Sequence, residues 1–77
     1  MTSIGILQFP YKGKVIRDAM GRQCDGWSVV EDGRPGIPFE SKEGAIRHAK
    51  GIIAIRCDRR TAFTVIDSND CREVVTL

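Results

Sequence analysis

The sequence predicts an α+β fold: an antiparallel sheet of about five strands with one helix packed on one face, in the order β-β-β-α-β-β. Three observations predict it. Residues 41–53 place Ala45, Ile46, Ala49, Ile52 and Ile53 on one side at 100° per residue, the stripe of a helix that meets a core. The segments 3–9, 27–31, 61–67 and 72–77 are short and rich in β-branched, aliphatic or aromatic residues, as strands are. Clusters of Gly, Pro, Asp and Asn separate them, which suits hairpins before and after the helix.

Each element follows in chain order. "SIGILQF" at 3–9 is a strand that stops at Pro10. "YKGK" at 11–14 has the glycine of a turn, and "KVIRDAM" at 14–20 returns as a second strand. "GRQCDG" at 21–26 turns again, and "WSVVE" at 27–31 is a strand carrying the sole tryptophan. "DGRPG" at 32–36 reads as a loop, since Asp-Gly and Pro-Gly both favour turn geometry. "IPFE" extends briefly, with Pro38 suited to a sheet edge because it has no N–H. Ser41 is the helix N-cap, and Glu43 sits in the first turn where the helix dipole favours a negative charge. Gly44 and Gly51 each cost about 1 kcal/mol relative to alanine, so the helix leans on packing. Gly51 leaves two endings open, one near 50 and one beyond 53. "CDRR" at 57–60 is a polar connection, "TAFTVID" at 61–67 alternates as a strand, "SND" turns and "REVVTL" closes the sheet.

Seventy-seven residues allow one small domain, 1–77, with a limited core. At 42% hydrophobic and 29% charged residues the chain falls with globular proteins and not with disordered ones. Its longest apolar run, "GIIAI", is far short of a membrane span, and "MTSIGILQFP" lacks the basic start and cleavage site of a signal peptide. A cytoplasmic location without membrane partners is therefore expected. Cys24, Cys57 and Cys71 form no CxxC pair; they read as reduced thiols behaving as small hydrophobes. With His48 they make four ligands in total but no local pair, so neither a metal nor another cofactor is expected.

At "GWSVVEDG…FESKEGAIRHAK" the chain resembles a family of small bacterial and phage-borne domains of unknown function. Its members look like Gly-Trp-x-Val on a strand, a glycine turn, then Phe-x-Thr/Ser-Lys-x-x-Ala opening a helix. The matching positions are Gly26, Trp27, Val29, Phe39, Ser41, Lys42, Ala45 and Ala49. The resemblance covers about half the chain, and these positions are mainly structural. Gly44 departs from the pattern, standing where a Glu would be. The resemblance implies a bacterial or phage protein, and modules of this build often act as inhibitors or regulators of host machinery. A second resemblance is to antitoxins with a degenerate RNase H-like fold, which run β-β-β-α-β and place a Pro-Gly before the helix, as Pro35-Gly36 does here. Their Pro-Asp-x-Pro-Gly-Cys strand end is absent.

Catalysis is not expected. One histidine, His48, falls on the outward side of the helix, and the carboxylates cluster in turns ("EDG", "DSND"). No phosphate-binding loop, dinucleotide fingerprint or HExxH occurs. "DSND" lacks the glycine and distal Glu of a calcium loop and reads as an Asx turn.

Charge is more informative by position than in sum. The chain carries a formal +2, yet residues 42–60 hold six basic side chains against Glu43 and Asp58, a net of +4. The remainder has six basic and eight acidic residues. The helix face (Arg47, His48, Lys50) and the exit (Arg59, Arg60) are accordingly the predicted binding surface. A protein partner is expected there, with a second copy of the chain as another partner across an outer sheet face that includes Tyr11, Ile16 or Val30. Nucleic acid is the alternative ligand for the basic face, through phosphate neutralisation. Five aromatic residues without RNP-like interleaving give it no stacking platform.

Overall fold

The computed structural model describes residues 3–77; Met1 and Thr2, part of the predicted 1–77 domain, lie outside the described residues. The strands are β1 (Ile4–Phe9), β2 (Ile16–Arg17), β3 (Gln23–Cys24), β4 (Gly26–Glu31), β5 (Arg34–Phe39), β6 (Ala62–Ile66) and β7 (Arg72–Thr76). One helix, α1 (Lys42–Ile55), lies between β5 and β6. The fold is α+β, with a five-stranded sheet in the order β5-β4-β1-β6-β7 and a separate β2–β3 ribbon.

The sheet is mixed, which corrects the antiparallel expectation at one pair. β1 and β6 are parallel, with Ile6 opposite Val65, whereas β1–β4, β4–β5 and β6–β7 are antiparallel. The reason is the helix. A helical crossover returns the chain in the direction it left, so β6 runs parallel to β5 and to β1. It lands beside β1, with β4 and β1 between it and β5.

Three further expectations shift. The strand at 14–20 is reduced to Ile16–Arg17, because the Asp18 carboxylate accepts the amides of Met20 and Arg22, both at 2.9 Å, and turns the chain there. The loop at 32–36 shrinks to Asp32-Gly33, whose φ values of 50° and 81° form a tight two-residue turn that matches strand twist. β5 therefore starts at Arg34 and includes Pro35 and Pro38, tolerated because β5 is an edge strand. The segment read as a turn at 21–26 contains the short strand β3, paired with β2. Of the two helix endings left open, the later one holds, with α1 running through Gly51 to Ile55.

Ser41 is the N-cap, its Oγ accepting from the Gly44 amide at 3.1 Å. At the other end Cys57 adopts a left-handed φ of 51°. Its amide donates to the Ala54 carbonyl at 3.2 Å, and that of Asp58 to the Ile53 carbonyl at 3.0 Å. This is a Schellman closure with cysteine in the place glycine usually takes.

The buried core is Ile6, Val29, Ala45, Ala49, Ile53, Phe63 and Val65, with Ile46, Ile52, Trp27 and Phe39 packed around it. The two alanines let the helix approach the sheet closely over β4, β1 and β5. By alternation Gly5, Leu7, Val30, Thr64 and Ile66 face away from the helix and line a shallow hollow there. Val30 thus lies on the outer face as expected. Ile16 is buried within the β2 segment, and Tyr11 is half-buried in the turn after β1.

Candidate functional site

The basic residues of 42–60 divide into two groups. Lys42, Arg56 and Arg60 are neutralised locally: Lys42 reaches Glu73 at 3.0 Å, Arg56 reaches Glu31 at 2.9 Å and Arg60 reaches Asp58 at 2.8 Å. Arg47, Lys50 and Arg59 are exposed, and no ion pair among the described residues engages them. Glu43 lies one turn before Arg47 without an ion pair to it. The net positive charge of this region is thus concentrated on three side chains. Arg47 and Lys50, three apart, share the outward side of α1; Arg59 lies beyond the helix in the connection to β6.

Arg60 differs from the other predicted residues. Its side chain is only 19% exposed. Asp58 holds it through Oδ2, while Asp58 Oδ1 accepts the Arg60 backbone amide at 2.9 Å. Those hydrogen bonds hold the Asp58 carboxyl below the usual carboxylate range and raise the Arg60 guanidinium further. Arg60 fastens the chain after the helix and presents little of its charge.

His48 is exposed, as its outward place on the helix predicts, and it also meets a neighbouring ring. Its ring lies 5.1 Å from that of Phe39, tilted by 42°, and borders a groove of about 440 Å³ between α1 and β5. Val29 and Glu31 of β4 line the groove, with Ile52 on the helix and Arg34 and Ile37 on β5. Ile37 is 69% exposed beside it. Ile55, 85% exposed, stands seven residues after His48 and hence on the same side of the helix. Exposed Arg34, Ile37 and Ile55 therefore occur together on the His48 side of α1, with Arg47 next to His48 in the chain and Lys50 about 140° around the helix from Ile55.

Sequence reasoning missed Ile37, Ile55 and Arg34. Arg34 is hidden by reading 32–36 as loop, whereas Ile37 falls in the extended "IPFE" but gives no local signal of its exposure. Ile55 depended on carrying the helix past Gly51.

Of the other chemistry-bearing residues, Asp67 is occupied by the fold and two cysteines are exposed. Asp67 Oδ1 accepts the amides of Asn69 at 2.9 Å and Cys71 at 3.0 Å, the expected Asx turn. Cys24 is half-buried, but Cys57 and Cys71 are exposed, so two of the three thiols do not act as small core hydrophobes. Among the described residues no three His, Cys, Asp or Glu side chains converge on a common point. No helix among them is long and apolar enough to cross a membrane. Comparison with protein-family models, with curated proteins and with solved structures finds no match.

Proposed function

We propose that this chain is a non-enzymatic binding module that engages a protein partner through the outward side of α1. Arg47 and Lys50 supply the charge, with Arg59 beside the helix exit. In this reading it serves as a regulator or inhibitor of bacterial or phage origin, acting in the cytoplasm. The observation that carries the reading is the company the cations keep. Arg47 and Lys50 share a helix with exposed Ile55, and exposed Ile37 lies across the groove from His48. A surface combining cations with aliphatic anchors matches a partner that is both acidic and apolar, as a protein surface is. A nucleic-acid backbone would use the cations alone. Trp27 and Tyr11 are half-buried, so they support base stacking poorly.

The test is a tagged pull-down from a lysate of the source organism, split into nuclease-treated and untreated halves. A discrete protein retained after nuclease treatment and lost with Arg47→Glu/Lys50→Glu is the expected result. A signal that vanishes with nuclease would replace this reading with nucleic-acid binding. Turnover that depends on His48 or a cysteine would overturn its non-enzymatic part.

A further inference from the structure

The two edges of the sheet are built differently. β5 contains Pro35 and Pro38, neither of which has an N–H, and its register shifts between Ser28 and Val30 of β4. Such an edge cannot accept a regular strand. β7 has no proline and no bulge, and it pairs with β6 residue for residue from Arg72 to Thr76. Val74, at its centre, is 68% exposed.

The hydrogen bonding of β7 fixes which of its groups face outward. The Leu77 amide donates to the Thr61 carbonyl at 2.8 Å, and the Asp67 amide to the Cys71 carbonyl at 3.1 Å. Bonded pairs alternate along an antiparallel ladder. Residues 73 and 75 therefore turn their amides and carbonyls toward β6. Arg72, Val74 and Thr76 turn theirs away, leaving three donors and three acceptors on the edge.

We propose that this edge is a self-association site, at which two copies pair their β7 strands antiparallel about a two-fold axis through Val74. In that register Val74 faces Val74 of the second copy, and Arg72 faces its Thr76. All three outward residues on each copy meet outward residues, so every free amide and carbonyl of the edge is paired. Neighbouring registers do worse. Shifting the axis to residue 73 places Glu73 opposite a second Glu73, and shifting it to 72 places two arginines opposite each other, both unfavourable. Shifting it to 75 carries Arg72 past the span of the opposing β7 (Arg72–Thr76), so only Val74 and Thr76 of the outward residues pair within the strand. In the Val74 register Glu73 lies opposite Val75 and keeps Lys42 as its own counter-ion at 3.0 Å. The surface is distinct from Arg47 and Lys50, so the two proposals stand or fall separately.

Sedimentation equilibrium under reducing conditions tests this, up to about 0.5 mM because a strand-sized interface is small and weak. The expected result is twice the chain mass at high concentration. Val74→Lys and Val74→Glu should each be monomeric at the same concentration, and their equimolar mixture should regain the dimer mass. Circular dichroism of each variant should match the wild type, since Val74 is mostly exposed. Amide exchange at 72, 74 and 76 should slow as wild-type concentration rises. A wild type that stays monomeric throughout, or a Val74→Lys variant that still dimerises, would overturn the proposal.

Discussion

The hydroxyl of Tyr11 donates to Asp70 Oδ1 at 2.6 Å, joining the turn after β1 to the β6–β7 hairpin 59 residues later. Lys12 adds a contact to Asp70 Oδ2 at 3.4 Å. The hydrogen bond from Tyr11, and then the charge of Lys12, hold the Asp70 carboxyl below its ordinary range. A carboxyl depressed in the folded state stabilises the fold above its unfolded pKa, and that contribution is lost as pH falls through the lower folded value. Asp58 behaves alike through Arg60. The melting temperature should therefore fall as pH drops below about 4. Tyr11→Phe and Asp70→Asn should each start lower at neutral pH and lose less on acidification, as thermal melts from neutral to acid pH would record.

The two helix glycines should respond differently to alanine. A Cβ at Gly51 meets nothing within 4 Å, so Gly51→Ala should stabilise the fold by about 1 kcal/mol. A Cβ at Gly44 would lie 3.1 Å from Ser41 Oγ, the cap oxygen. Gly44→Ala should lose most of the same gain by disturbing a cap worth about 1 kcal/mol. Urea unfolding of both variants beside the wild type measures the difference.

Gly26 is a stronger constraint. Its φ is +147°, and a Cβ there would stand 2.5 Å from the Phe39 carbonyl oxygen on β5. Backbone cannot yield as a side-chain tip does. Gly26→Ala should cost more than about 2 kcal/mol, in the range set by backbone strain and overpacking together, and should broaden the amide signals of β4 and β5.

Ile6 lies at the centre of the core, 1% exposed and level with both Val29 and Val65. Ile6→Ala should cost about 2–5 kcal/mol. In a domain this small that is a large share of total stability, so the variant should be substantially unfolded at 37 °C by circular dichroism.

The local features were legible in the residues. Ser41 as cap, the Ala45–Ile53 stripe, the Asx turn at Asp67 and the edge position of Pro38 all follow from side-chain chemistry acting over a few residues. What escaped was non-local or depended on a substitute residue. No local signal says that β6 lands beside β1, because that depends on how far α1 carries the chain across the sheet. The helix end was obscure because Cys57 holds the left-handed position where glycine would have announced it. Asp18 ended a strand through hydrogen bonds to its own neighbours, although 14–20 has enough apolar residues to look extended. The site was half legible: exposure of Arg47 and Lys50 follows from helix geometry and that of Arg59 from its place in a polar connection, but the burial of Arg60 against Asp58 and the seating of His48 on Phe39 do not.

The most direct test of the binding-module account is quantitative capture of the nuclease-resistant partner by four forms of the chain. Wild type is compared with Arg47→Glu/Lys50→Glu, with Ile37→Ala/Ile55→Ala, and with Arg22→Glu, an exposed cation outside the proposed surface. The account predicts at least about a tenfold loss for each double variant, as expected when central charged or aliphatic contacts are removed, and none for Arg22→Glu. Equal capture by all four forms, or equal loss with Arg22→Glu, would contradict it.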